Sequence, residues 1–158
     1  MSRIRPAIND DIPDIFALAK IMHGSSRYKK ISFDNNTTWN LIRACIDDPD
    51  RFGWVGVNED EEIVSAFLGG VCQFHFSTET MATDYGVFTE PTHRKSRLAF
   101  KLMQQFIKWA NERGCSEVSL GASHGFDQNN YASRLGKFLQ KRLGFTEAGI
   151  WYVRDANV

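Results

Sequence analysis

Residues 81–89 alternate loosely as a β-strand, Pro91 follows as a turn residue, and residues 94–113 then carry Leu98, Leu102, Phe106 and Trp109 along one side of a helical pattern. Ala99, Met103, Ile107 and Ala110 lie beside that stripe. So broad an apolar face must be laid against another element, and a strand joined to the helix by a short turn makes a sheet the natural surface. Gly114 ends the helix, because glycine takes the left-handed capping conformation without strain. On the strand, simple alternation puts Tyr85 and Val87 on one face and Asp84, Gly86 and Phe88 on the other.

The flanking pattern extends the same architecture. Ile4 and Ile8 flank a short apolar start, and Asn9 or Asp10 can cap a helix bearing Ile12, Ile15, Phe16, Ala19 and Met22, with an end near Gly24. Residues 34–36 precede a second helix with Trp39, Ile42, Arg43 and Ile46 at helical spacing. Residues 52–57 and 63–76, on either side of an acidic turn, read as a hairpin rich in β-branched and aromatic residues. Inside it, Gly69 and Gly70 mark a bulge or a close approach of backbones. A short strand is expected in 116–122, a last helix with Leu135, Phe138, Leu139 and Leu143 ends at Gly144, and residues 145–154 read as a final strand or strand pair bent at Gly149. The order is α+β, without repeat, low-complexity tract or long linker, and one domain over residues 1–158 is expected.

Charge narrows the function. Lys plus Arg and Asp plus Glu each total 19, so any anion site must be local, and neither nucleic acid nor membrane is an expected partner. No apolar run approaches the ~20 residues that cross a bilayer. The three cysteines, Cys45, Cys72 and Cys115, are too scattered for a disulfide framework, no Cys or His pair has metal-ligand spacing, and a reducing, cytoplasmic setting is expected.

The local anion site has an obvious candidate. A helix start exposes unpaired N–H groups and the positive end of its dipole, which suits a pyrophosphate. Arg94, Lys95 and Arg97 crowd that end although cations there oppose the dipole, and a bound anion would account for them. A solvated basic turn is the alternative.

Pro91, Thr92, His93 and Arg94, then Leu98 and Ala99, resemble the acyl-CoA signature of the GNAT (GCN5-related) N-acetyltransferases: proline, two residues, then Arg or Gln-x-x-Gly-x-Gly or Ala. Arg97 stands where that signature has glycine. Its side chain must therefore point away from the pyrophosphate or turn toward the phosphates as a replacement donor. Ile4-Arg5-Pro6-Ala7 at the start, Trp109-Ala110 followed by Gly114, and Arg142-Leu143-Gly144-Phe145 also fall in GNAT order, and the whole pattern looks like small GNAT proteins often encoded by bacteriophages.

The resemblance implies a mixed, mostly antiparallel central sheet flanked by about four helices, with strands 81–89 and 116–122 splayed to admit the pantetheine arm of acetyl-CoA. By the same carry-over, the backbone of Phe88 and Thr89 pairs with the pantetheine amides, and N–H groups of Arg94, Lys95, Ser96, Arg97, Leu98 and Ala99 hold the pyrophosphate. A backbone N–H at the splay, that of Phe88 among the candidates, stabilises the oxyanion. The family's frequent tyrosine in the last helix falls at Gln140, which cannot act as an acid, and its asparagine falls at Ser133, just after Asn129 and Asn130.

Asp84 is the preferred general base, weighed against a merely structural charge on a strand edge; Tyr85 is the second catalytic candidate, and His75, His124 and Tyr131 rank below them. The expected reaction moves acetyl from acetyl-CoA to a primary amine of a small molecule or protein. The competing reading is a non-catalytic GNAT-fold module that binds CoA and acts by contact with a partner protein. An exposed Trp151 near the last strand would serve as a homodimer contact.

Overall fold

The computed structural model describes residues 1–122 and 131–157. They divide into two compact units, Met1–Gly121 and Ala122–Val158. The first unit is a five-stranded sheet in the order β1 (Arg3–Pro6), β2 (Arg51–Val57), β3 (Ile63–Gln73), β4 (Thr80–Thr89) and β5 (Glu117–Ser119). Every pairing is antiparallel except that of β4 with β5, which is parallel. Helices α1 (Ile12–Ser25) and α2 (Asn35–Asp47) connect β1 to β2, and α3 (Leu98–Glu112) connects β4 to β5.

Strand alternation divides the core between the two sheet faces. Val55, Val57, Ala66 and Leu68 pack with Ile12, Ile15 and Leu18 of α1 and Ile42 and Cys45 of α2. The alternate residues Phe52 and Phe67 turn to α3, where their rings lie 5.1 and 4.5 Å from that of Phe106. Trp109 completes this aromatic layer at 5.4 Å from Phe52. Leu98, Leu102 and Phe106 are all 0% exposed, so the start of α3 is pinned to the sheet as firmly as its middle.

Several helix boundaries differ from the sequence pattern. The first helix runs one residue beyond Gly24, and Asn9 to Asp11 form a single 3-10 turn before it. Neither Asn9 nor Asp10 does the capping work. Asp11, the residue before α1, makes no side-chain bond to the helix either; its carboxylate reaches back across the 3-10 turn to accept the Ile8 N–H at 2.8 Å and the two-pronged guanidinium of Arg5 at 2.6 and 2.9 Å. Asp34 caps α2 as an acceptor for the Thr37 N–H at 2.7 Å. The third helix starts at Leu98 rather than at Arg94, because Pro91 to His93 form a 3-10 turn and Arg97 is left-handed, with φ 64°. Gly114, with φ 73°, ends it as expected.

In the second unit, α4 (Tyr131–Leu143) buries Leu139 and ends where Gly144 takes φ 73° and the Phe145 N–H reaches the Leu139 carbonyl at 3.2 Å. The expected strand over 145–154 is absent; among the described residues no ladder pairs with it. β propensity does not make a strand without a partner's backbone groups. Trp151 is 72% exposed. No helix among the described residues is long and apolar enough to cross a membrane.

Burial disfavours the Asp11 charge, but the Arg5 fork and the Ile8 N–H outweigh it and hold the carboxyl below its ordinary range. A lowered folded-state value means that Asp11 stabilises the fold above the unfolded value of about 3.9 and loses that contribution as pH falls through the lower folded value. Asp11→Ala should therefore cost roughly 1.5–3 kcal/mol at neutral pH. In urea titrations the gap from wild type should close as pH is lowered through that window.

Candidate functional site

β4 is the strand around which the site is built. It stays paired with β3 from Gln73↔Thr80 to Ser65↔Thr89, but with β5 only over Met81↔Glu117, Ala82↔Val118 and Thr83↔Ser119. Beyond Thr83 its outer edge has no strand partner among the described residues. Two strands that part in this way leave a row of unused backbone donors and acceptors facing a gap.

The register decides which residues supply that row. Between Leu68 and Gly69 the pairing jumps from Gly86 to Asp84, which leaves Tyr85 as the extra residue of a β-bulge. The Glu90 N–H donates to the Val64 carbonyl at 2.8 Å, so Ser65↔Thr89 is a non-hydrogen-bonded pair and Ala66↔Phe88 a hydrogen-bonded one. Phe88 therefore turns both backbone groups toward β3, and its carbonyl also accepts the Ser65 hydroxyl at 2.8 Å. This corrects the expectation for Phe88, both as a pantetheine partner and as an oxyanion donor. Thr89 keeps its place on the gap, and Val87, which sequence reasoning passed over, joins it.

The bulge also overturns the expected faces. Tyr85 now shares a face with Gly86 and Phe88. Its hydroxyl lies over Gly70, where a Cβ would come within 2.3 Å of it, and the Phe88 ring covers Gly86, where a Cβ would come within 2.4 Å. The Arg51 guanidinium stands 5.7 Å from the Tyr85 ring centroid. Burial holds the Tyr85 phenol above its ordinary value, so it remains protonated near neutral pH and can donate but not act as a base. The small residues opposite these rings, Gly70 and Gly86, were the sequence signal for this packing.

Asp84 sits where β4 and β5 part. Its Oδ1 accepts the Gly121 N–H at 3.0 Å, tying the chain just past β5 back to β4, and its Oδ2 has no hydrogen-bond partner among the described residues. Burial raises the carboxyl above its ordinary value, and the Gly121 N–H only partly offsets this. One oxygen is thus fixed and, among the described residues, the other is open, while burial makes the carboxylate a stronger proton acceptor than an ordinary aspartate. His75 lies in the exposed β3–β4 connection, at the opposite end of β4 from Thr89, and is not brought to the site.

The turn after β4 leads into α3. His93 Nδ1 lies 2.9 Å from Glu90 Oε2 and 3.0 Å from the Thr92 hydroxyl, so the nearest carboxylate is already engaged. Arg94, Lys95 and Arg97 are exposed, and among the described residues none forms an ion pair. No backbone carbonyl among the described residues accepts from the N–H of Leu98 or Ala99; Ser96 Oγ comes to 3.5 Å of the former. A weakly bonded Leu98 N–H and a neighbouring Ala99 N–H at the start of a pinned helix, three exposed cations without an ion pair among the described residues, and an open strand edge fit a long ligand with phosphates at one end and amides along its length.

His124, Asn129 and Asn130 lie outside the described residues, as do the side chains of Tyr131 and Ser133. Gln140 is an exposed residue of α4. Among the described residues no three His, Cys, Asp or Glu side chains gather to hold a metal ion.

The sequence model of the acetyltransferase (GNAT) family matches residues 14–145. Among solved structures, the chain is similar to an aminoglycoside 6′-N-acetyltransferase of Acinetobacter baumannii, with TM-score 0.72, 19% identity and coverage of 100% of this chain and 99% of that one. Glucosamine-6-phosphate N-acetyltransferase of Arabidopsis thaliana aligns with TM-score 0.72 at 16% identity, covering 99% of each chain. A predicted acetyltransferase of Clostridium acetobutylicum, crystallised with acetyl-CoA, aligns with TM-score 0.73 at 18% identity, covering 98% of this chain and 96% of that one. A search of curated protein sequences gives no significant match.

The bond from Gly121 to Asp84 should be visible in amide exchange. Asp84→Asn keeps an acceptor oxygen and should leave the Gly121 amide protected, whereas Asp84→Ala should speed its exchange by roughly an order of magnitude, the loss expected for one hydrogen bond of about 1–1.5 kcal/mol. Equal exchange in both variants would mean that Asp84 does not hold the end of β5.

Proposed function

The chain belongs to the GNAT acetyltransferase family, and on that premise we propose that it transfers the acetyl group of acetyl-CoA to a primary amine. The observation that carries this reading is the parting of β4 and β5, with Asp84 where they part and the exposed, basic start of α3 following β4. Acetyl-CoA, when bound, supplies an acyl group activated as a thioester. The chain's own groups do the rest.

In this reading the N–H groups of Leu98 and Ala99 and the charges of Arg94 and Lys95 bind the pyrophosphate. The outward backbone groups of Val87 and Thr89 pair with the pantetheine amides, as an added strand would. Ser65 supports them from behind, since its hydroxyl meets both the Phe88 carbonyl and, at 2.9 Å, the Thr89 hydroxyl. Ordering the acyl donor against a fixed edge removes most of the entropic cost of bringing two reactants together.

Asp84 accepts a proton from the incoming ammonium through its open Oδ2, leaving the neutral amine as nucleophile; as the amide C–N bond forms the thioester C–S bond breaks, and coenzyme A leaves as a thiolate that takes a proton from solvent. Burial shifts its pKa in the direction a general base needs, since a more basic carboxylate takes up a proton more readily. Tyr85 is turned toward Gly70 and Arg51 and supports the bulge, in place of the catalytic role expected for it. The acceptor is an amine-bearing small molecule in this reading; the similarity to an aminoglycoside and to an amino-sugar acetyltransferase supports that class. We take the whole chain as one catalytic domain, which is supported by a family match running across both compact units.

Saturating acetyl-CoA should raise the melting temperature, by an amount equivalent to ~2.7 kcal/mol at 100 times the dissociation constant. Arg94→Ala should reduce that shift. With an amine acceptor present, Asp84→Asn should lower CoA release by about 10²–10⁴-fold and remove the acidic limb of the pH–rate profile, a limb that in wild type lies above the usual carboxylate range. Unchanged turnover in Asp84→Asn would rule out the base assignment, and binding without amine-dependent CoA release would rule out the transferase reading.

A further inference from the structure

Ser65 places a hydroxyl, 0% exposed, in an apolar stretch of β3 with buried Val64 and Ala66 on either side. It lies on the α3 face of the sheet, since a Cβ on neighbouring Gly56 would come within 3.1 Å of both the Ser65 and the Leu98 Cβ. A buried hydroxyl is costly unless it is bonded. This one has the Phe88 carbonyl at 2.8 Å and the Thr89 hydroxyl at 2.9 Å. Ser65 and Thr89 stand directly opposite each other in a non-hydrogen-bonded pair, where cross-strand side chains approach most closely.

Counting protons fixes the direction of these bonds. Ser65 has a single hydroxyl proton, and the Phe88 carbonyl oxygen can only accept, so that proton goes to Phe88. Thr89 must then donate its own proton to Ser65 Oγ. The relay runs from the Thr89 O–H through the Ser65 O–H to the Phe88 C=O, and it uses the only side-chain proton Thr89 has. Thr89, unlike Ser65, is partly exposed, and toward a ligand its Oγ1 is left as an acceptor alone. Thr89 is also the last residue of β4, its backbone groups turned away from β3, and the 3-10 turn that leads to α3 begins two residues later.

We infer that Ser65 is a positioning residue for the acyl donor: by taking the Thr89 proton it holds Thr89 Oγ1 as an acceptor for the secondary hydroxyl of the pantetheine arm. This role rests on the acetyl-CoA reading of the site and adds side-chain recognition to it. In that reading the outward backbone of Val87 and Thr89 pairs with the amides of the arm, and the pyrophosphate lies at the start of α3. The donor that remains on the arm is the hydroxyl between its amides and its phosphates. Thr89 occupies the corresponding place in the protein, between the open strand edge and the turn to the helix. Neither hydroxyl of the relay belongs to the segment from Pro91 to Ala99.

The test is calorimetric titration of acetyl-CoA, and of its analogue with hydrogen in place of that hydroxyl, into wild type, Ser65→Ala, Thr89→Val and Thr89→Ser. The melting temperature of each free protein confirms that it is folded. Wild type should bind acetyl-CoA about fivefold more tightly than the deoxy analogue, the worth of one hydrogen bond between neutral groups. Thr89→Val should bind the two ligands alike, and Thr89→Ser should keep the preference. Ser65→Ala should lower it to about twofold or less, because the Thr89 hydroxyl is then free to rotate and is no longer held as an acceptor. A merely structural Ser65 would weaken both ligands equally and leave the preference intact, which would overturn the positioning role. No preference in wild type, or one that survives in Thr89→Val, would overturn the inference while acetyl-CoA binding itself stands. Absence of acetyl-CoA binding to wild type would overturn the acetyl-CoA reading and this role with it.

Discussion

β4 is hydrogen-bonded to β3 along its whole length and to β5 along only its first third, and the rest of the site follows from that mismatch. The long antiparallel ladder with β3 holds the strand's register, while the end of the parallel pairing after Thr83 leaves its outer edge without a strand partner among the described residues. Unpaired backbone groups on a strand are a standing invitation to another extended chain. Here the bulge at Tyr85 bends the strand at the parting point, and the Asp84–Gly121 bond keeps β5 from drifting further away.

The same arrangement sets the electrostatics. Asp84 is buried enough to raise its pKa, because leaving water penalises the carboxylate, yet among the described residues only one of its oxygens is engaged. At the other end of the strand the polarity is reversed. Glu90 and His93 satisfy each other within the turn, so among the described residues the cations that follow have no carboxylate paired with them, and they sit against a helix end that already carries partial positive charge. A chain with no net charge has in this way concentrated positive potential at one place and an elevated acid at another, both attached to one strand.

Packing makes that separation rigid. Leu98 is buried in the first turn of α3, and Leu98 also lies against Gly56, where a Cβ would come within 3.1 Å of it. The helix start cannot move without disturbing the layer formed by Phe52, Phe67 and Phe106. Close-packed interiors transmit such constraints because they contain little slack. On the opposite face, Phe88 joins the core beneath α1 and α2, so the strand that carries the open edge is held from both sides of the sheet.

Much of this was legible in the sequence. The helical stripe of α3, the glycine stops at Gly114 and Gly144, the hairpin from β2 to β3 and the basic start near Arg94 are local patterns, written in periods of two and 3.6 residues and in the conformational freedom of glycine. They were enough to place the strand, turn and helix on which the candidate site is built. Tertiary structure alone decided the rest. Whether Phe88 or Val87 faces the gap depends on a one-residue bulge, which exists only when β4 is laid against β3, and a slip of one residue exchanges every face beyond it. The left-handed turn at Arg97 overrides a helical pattern that continued smoothly back to Arg94. Residues 145–154 have the composition of a strand but no ladder among the described residues. In each case the missing information is a pairing between distant segments, because a strand's register and its very existence belong to its partner as much as to itself.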